Sequence, residues 1–143
     1  MRYLLDTNVL SEIRKPQGNA KVKAFVDNLR EEDLFISVIS VGEITHGIEK
    51  LPPGPKKTEL QIWVSQKLPE RFGSRVVPLD ADIMIEWGKL QAATAKTLPL
   101  FDSLIAASAL ARRLAVITRN IKDFERINGL VLVNPWKEEQ SYT

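Results

Sequence analysis

The chain has 143 residues, 44% of them hydrophobic, which is about one domain of sequence with enough apolar material for a single sizeable core. Its 20 basic and 18 acidic side chains leave a formal net charge of only +2, so a polybasic coat is excluded and any polyanion must be held by a local patch or a bound cation. There is no cysteine and a single histidine, His46, which excludes a disulfide scaffold, a thiol nucleophile and a Cys- or His-built metal cluster.

In chain order, Tyr3–Leu5 reads as a short apolar strand and Asn8–Arg14 as a helix stopped by Pro16 and Gly18. Asn19 caps a second helix whose Val22, Phe25, Val26 and Leu29 fall at amphipathic spacing. Leu34–Val38 is a buried strand, followed by a helix from Val41 to near Lys50. The proline-rich Leu51-Pro52-Pro53-Gly54-Pro55 is a stiff loop, Lys56–Lys67 a helix and Val76–Leu79 a strand. Asp80 caps a long helix from Ala81 to near Lys96, with Ile83, Trp87 and Leu90 on one face. Asp102 opens an alanine-rich helix to Arg113, and Ala115–Thr118 and Leu130–Val133 are the last strands. Strands separated by helices call for an α/β fold: a mostly parallel sheet of about five strands, flanked by helices, with its site at the carboxyl ends of the strands. Asp6 interrupts the apolar opening far short of the ~7–15 residues of a signal segment. The longest uncharged runs, Leu34–Gly42 and Ser103–Ala111, are each 9 residues, against the ~20 of a membrane span. A cytoplasmic protein with no membrane partner is expected.

Four acids share a context. Asp6 follows the first strand, Glu43 sits in the first turn of the helix after the second, Asp102 stands at the start of the alanine-rich helix, and Asp123 lies just beyond Ala115–Thr118. A parallel sheet gathers strand ends at one edge, and carboxylates crowded there repel unless a cation neutralises them. Oxygen ligands without His or Cys point to Mg²⁺ or Mn²⁺, which activates water and offsets charge on a phosphodiester transition state. Each acid also has an ordinary use. Ser40-Val41-Gly42-Glu43 fits a capping box, Asp102 suits a helix dipole, Asp6 an Asx-turn and Asp123 a solvated turn.

Leu4-Leu5-Asp6-Thr7-Asn8-Val9-Leu10-Ser11-Glu12 resembles the opening of PIN-domain proteins. Ile39-Ser40-Val41-Gly42-Glu43-Ile44-Thr45-His46-Gly47-Ile48 resembles their second acidic motif, Asp102-Ser103-Leu104-Ile105-Ala106-Ala107-Ser108-Ala109 the third, and Thr118-Arg119-Asn120-Ile121-Lys122-Asp123-Phe124 the fourth. The closing Asn134-Pro135-Trp136 is similar to the FitB-like branch of the VapC toxins of VapBC toxin–antitoxin modules. The resemblance covers nearly the whole chain, with all four acidic motifs in order. It implies a single PIN-like domain over residues 1–143, a Mg²⁺ or Mn²⁺ site, and cleavage of single-stranded RNA by metal-activated water. On it, the catalytic and metal-holding acids fall on Asp6, Glu43, Asp102 and Asp123, the last either touching the ion or standing behind a water. Thr7, Thr118 and Asn120 match the polar positions that support the metal, its waters or the phosphate. It further implies a homodimeric toxin inhibited by a cognate antitoxin and reaching operator DNA only through it. Two other functions stay open: a weakly nucleolytic partner in a DNA-bound autoregulatory complex, and a phosphohydrolase, for which Asp6-Thr7-Asn8 lacks the second Asp of the nucleophile motif.

Arg14, Lys15, Lys21 and Lys23 near the first strand end, with Arg119, Lys122 and Arg126 near the last, are candidates for an RNA groove, a solvated face being the alternative. His46, one turn past Glu43, fits a surface or packing role better than a place in the site. Trp63 and Trp87 suit packing better than base stacking, and Ser11 and Ser103 read as caps or surface residues. Ile44, Ile62 and Trp63 are candidates for a dimer seam.

Overall fold

In a computed structural model of the chain, which describes residues 1–137, five strands form one sheet. They are β1 (Tyr3–Leu5), β2 (Leu34–Ser37), β3 (Val76–Val77), β4 (Ala115–Ile117) and β5 (Leu132–Val133). Their order is β3-β2-β1-β4-β5, and every neighbouring pair is parallel. The chain therefore builds outward from β1 to one side, then returns to the other, so the order switches between β1 and β4. The helices are α1 (Thr7–Arg14), α2 (Ala20–Asp27), α3 (Val38–Glu49), α4 (Pro55–Ile62), α5 (Leu68–Phe72), α6 (Ala81–Ala93), α7 (Leu100–Arg112) and α8 (Ile121–Phe124). The expected domain limits of 1–143 run past the described residues at 138–143. No helix among the described residues is long and apolar enough to cross a membrane.

Successive strand residues point to opposite faces, and this splits the apolar residues into two cores. Leu4, Phe35 and Val116 pack with Ile83, Ile105 and Phe124 beneath α6, α7 and α8. Leu5, Ile36 and Ile117 pack with Val9, Val22, Ile48 and Phe72 beneath α1 to α5. Both faces of the central strands are thus dry, which is why their sequences run apolar without polar alternation.

Several element limits differ from the sequence expectation, each for a local reason. The helix after β2 begins at Val38, not Val41, because Ser37 caps it by accepting from the Ile39 N–H at 3.0 Å. Ser40 is therefore inside α3, the capping box is absent, and Glu43 lies in the second turn of α3, not the first. Likewise α7 begins at Leu100 behind Pro99, so Asp102 is its third residue and not its opening one. β3 stops at Val77 because Pro78 has no N–H for the ladder. The helix expected over Lys56–Lys67 starts at Pro55 and continues through a π turn, Trp63–Lys67, into α5. In that turn the Leu68 N–H reaches the Trp63 carbonyl, a widening that accommodates Pro69, whose ring would clash with a regular preceding turn. Between α1 and α2, a Cβ on Gly18 would stand 2.2 Å from the Glu12 carbonyl oxygen, so only glycine lets the chain double back there.

Asn19 caps α2 as expected, its Oδ1 accepting from Lys21 N–H at 2.9 Å and Val22 N–H at 3.2 Å. Asn19→Ala is expected to cost about 1 kcal/mol of stability, read from urea melts, with Asn19→Asp retaining most of it.

Candidate active site

At the switch between β1 and β4, the chain leaves β1 at Asp6, whose N–H donates to the Ile117 carbonyl at 2.9 Å. That bond places the Asp6 side chain between the ends of the two strands, where it is only 4% exposed. Its Oδ1 accepts from the Thr7 N–H at 2.8 Å, capping α1, and its Oδ2 accepts from the Thr118 hydroxyl at 2.7 Å. The expected Asx-turn to residue 8 is replaced by a cap on the next residue, and the same side chain is the buried acid. Burial raises the Asp6 pKa most, the bonds from Thr118 and Thr7 oppose it, and the charges of Glu43 and Asp123 raise it further.

Glu43 comes to Asp6 through Thr7. The Thr7 hydroxyl donates to Glu43 Oε1 at 2.6 Å and lies 2.7 Å from the hydroxyl of Ser40, one turn earlier on α3 and fully buried. Asp102 arrives from the first turn of α7. Ser103 beside it is buried, donating to the Leu100 carbonyl at 2.7 Å and accepting from Trp87 Nε1 at 2.9 Å and Gln91 Nε2 at 3.1 Å. Ser103 is therefore neither a cap nor a surface residue, and Trp87 is tied into the packing of α6 on α7. The Asp102 pKa is pushed up to about 6, by burial first and then by the charges of Asp6, Asp123 and Glu43.

Asp123 stands exposed on the single-turn α8, close enough for its charge to act on both Asp6 and Asp102. The structure thus brings all four expected acids into one electrostatic group. Thr118 orients Asp6 and also accepts from the Asn120 N–H at 3.0 Å. The sequence reading missed Asn8, whose Nδ2 reaches Asp6 Oδ2 at 3.4 Å and Thr118 Oγ1 at 3.5 Å while its Oδ1 accepts from the Arg119 N–H at 3.2 Å. It also missed Ser40 as a support. Asn8 was visible only as the third residue of Asp6-Thr7-Asn8, and nothing in the sequence paired Ser40 with Thr7. His46 is exposed and outside the group, and Ile44, expected on a dimer seam, is 9% exposed and belongs to the core because α3 turns that face inward.

Among the described residues, no three acidic or histidine side chains stand close enough to enclose an ion by themselves. The donor set nonetheless suits a hard divalent cation: carboxylates with a hydroxyl network behind them and no His or Cys ligand. Mg²⁺ is commonly held by one or two carboxylates with waters completing its shell, and does not require a closed protein cage.

The PIN domain description matches residues 3–130. The chain belongs to the PIN-domain family. It is 34% identical over 137 residues to the VapC ribonuclease Y4jK of Sinorhizobium fredii, covering 94% of this chain and 97% of that protein. It is also 34% identical over 138 residues to toxin FitB of Neisseria gonorrhoeae, covering 94% and 99%. The solved FitAB complex bound to a DNA fragment superposes with a TM-score of 0.87 at 32% identity, over 98% of this chain and 99% of the FitAB chain. PIN-domain ribonucleases generally depend on a metal ion, and the structural neighbours of this PIN domain are toxin–antitoxin complexes.

In the metal-free PIN domain, Asp102 has a folded pKa of about 6 against an ordinary 3.8. Its folded form binds more protons than the unfolded chain, so its contribution to stability is full below pH ~4 and is lost as pH rises through the folded value. Asp102→Asn is expected to flatten the fall of Tm over this range in chelator and to melt at or above wild type at neutral pH. Thermal melts across pH check this, and parallel profiles for the two proteins contradict it.

Proposed function

We propose that this PIN domain is a cytoplasmic, Mg²⁺- or Mn²⁺-dependent endoribonuclease toxin that cleaves single-stranded RNA and is inhibited by a cognate antitoxin. The observation that carries the reading is the gathering of Asp6, Glu43, Asp102 and Asp123 at the strand switch, where burial first and the charges of the neighbouring acids second raise the pKa of Asp6 and of Asp102. A fold gains no stability from that arrangement, whereas a site for a cation and a phosphodiester requires it. Relatives named ribonuclease or toxin over nearly their full length support the same reading.

Asp6, Glu43 and Asp102 would hold the ion, directly or through its waters, with Asp123 at the rim. When bound, such an ion makes water nucleophilic at neutral pH and offsets the charge of the phosphodiester transition state. Thr118 and the Thr7 N–H keep Asp6 oriented, the Thr7 hydroxyl holds Glu43, and Asn8 ties the two strand ends together. Thr7 and Thr118 serve as supports through these bonds, and Asn120 is proposed as a third, its backbone N–H donating to Thr118 at 3.0 Å. The protein is proposed to act as a homodimer. Ile62, expected on the seam and 43% exposed, and Met84, Ile85, Leu100 and Phe101 on the packed pair α6 and α7 are apolar side chains exposed for such a contact.

The DNA-bound FitAB neighbour favours a second reading, a weakly nucleolytic partner that meets operator DNA through its antitoxin. Cleavage by the wild type separates the two, and one variant tests the site. Asp6→Asn is expected to remove most Mn²⁺-dependent cleavage of single-stranded RNA and to shrink the stabilisation by Mn²⁺, which for wild type reaches about 2.7 kcal/mol at 100 times its Kd. Combining it with Asp102→Asn is expected to cost little more, because the acids act as a unit. Near-wild-type cleavage by Asp6→Asn overturns the site. Absence of cleavage by the wild type, with antitoxin-dependent operator binding intact, favours the second reading.

A further inference from the structure

Of the three inner acids, Asp6 and Glu43 have carboxylates held directly, by Thr7 and Thr118. Asp102 differs: among the described residues no hydrogen-bond donor or cation meets its carboxylate, and only burial and the neighbouring acids act on it. Its direction is therefore set by the backbone of the first turn of α7. Packing does little to hold that turn, because Leu100 and Phe101 are exposed. Ser103 holds it instead. Its N–H donates to the Pro99 carbonyl at 2.9 Å and its hydroxyl to the Leu100 carbonyl at 2.7 Å, so the residue after Asp102 closes the turn twice. The same hydroxyl accepts from Trp87 Nε1 at 2.9 Å and Gln91 Nε2 at 3.1 Å, one turn apart on α6. A hydroxyl has one proton to give and two lone pairs to offer, and all three are used.

Stability alone does not call for such a network, since apolar groups of matched shape in its place are close to neutral. The rest of this seam is apolar: Ile83 and Leu90 of α6 share one core with Ile105, Ala106 and Ala109 of α7. Ser108, also buried on α7, shows the ordinary use of a helical serine, its hydroxyl donating to the Leu104 carbonyl of its own helix at 2.8 Å. The bonds between the two helices fall at the turn that carries Asp102, and a satisfied polar network fixes one arrangement where an apolar seam permits sliding.

We infer that Trp87 and Gln91 are positioning residues for Asp102, fixing through the Ser103 hydroxyl the turn that presents this acid to a divalent cation. The inference rests on the metal-dependent nuclease reading above. An acid with no bonds of its own keeps its place only if its backbone does, and a ligand that drifts weakens the ion's hold.

The test is calorimetric titration of Mn²⁺ into the full chain, well below its Tm, with thermal melts in chelator beside it. Trp87→Phe keeps an aromatic ring and removes the donor, and Gln91→Leu keeps the bulk and removes the amide. Each is expected to weaken Mn²⁺ binding severalfold, and Ser103→Ala about tenfold, the low end for loss of a ligand's outer partner. Adding Trp87→Phe to Ser103→Ala is expected to weaken binding no further, because both act through one hydroxyl. Ser108→Ala is the control, expected to lower Tm and leave the Mn²⁺ Kd unmoved, as a merely structural role would in every variant. The two α6 variants carry the test where Ser103→Ala does not fold. Unchanged Mn²⁺ affinity in the α6 variants overturns the inference. So does an equal loss in Ser108→Ala, or a full further loss from Trp87→Phe in the Ser103→Ala background. Wild type that binds no Mn²⁺ overturns the metal reading and the inference with it. Wild type that binds Mn²⁺ without cleaving RNA overturns the nuclease reading, while the pattern of affinities still decides the positioning role.

Discussion

A carboxylate buried where β1 meets β4 is the constraint around which this molecule is arranged. Asp6 leaves water at the end of the central strand, and desolvation is the largest influence on its pKa. Two donors answer it: the Thr118 hydroxyl from the neighbouring strand end and the Thr7 N–H at the start of α1. Because one comes from across the sheet and the other from the next residue, the bonds also fix how α1 departs from the sheet. The same side chain caps a helix, spans the strand switch and carries the charge. A parallel sheet whose order reverses beside its first strand makes such a position available, since two strand ends diverge there and leave a crevice.

The other acids depend on that point to different degrees. Glu43 is coupled to Asp6 by one residue, Thr7, which bonds both Glu43 and the buried Ser40 of the same helix. Asp102 is held indirectly: Ser103 pins the first turn of α7 to Trp87 and Gln91 of α6, so packing between two helices sets where the acid stands. Asp123 has neither kind of anchor, sits on a four-residue helix and is exposed. Three acids are thus preorganised by the fold, and the fourth acts mainly through its charge. This gradient matches its place at the rim of the proposed metal site.

The electrostatic strain and the family membership have one physical content. Burial, and then the like charges around them, raise the pKa of Asp6 and Asp102, and taking up protons relieves the folded chain of that strain.

Much of this was legible in the chain. Alternating apolar strands and capped helices follow from residue-scale rules, so Asn19 and Asp80 cap the helices at which they were placed and the sheet is parallel. The four acids were also visible, because each stands near the end of an apolar segment. Their supports were not. Asn8 with Thr118, Ser40 with Thr7, and Ser103 with Trp87 are separated along the chain by 110, 33 and 16 residues, and local pattern carries no information on such pairs. Local choice also misplaced the starts of α3 and α7, where Ser37 and Pro99 set the helix ends and moved Glu43 and Asp102 deeper into their helices. The sequence by itself determined which groups carry charge and which segments must be buried, since both follow from side-chain chemistry. Only the tertiary structure decided which charges share one desolvated crevice and which hydroxyls face them, because distances between remote residues are set by how strands and helices pack.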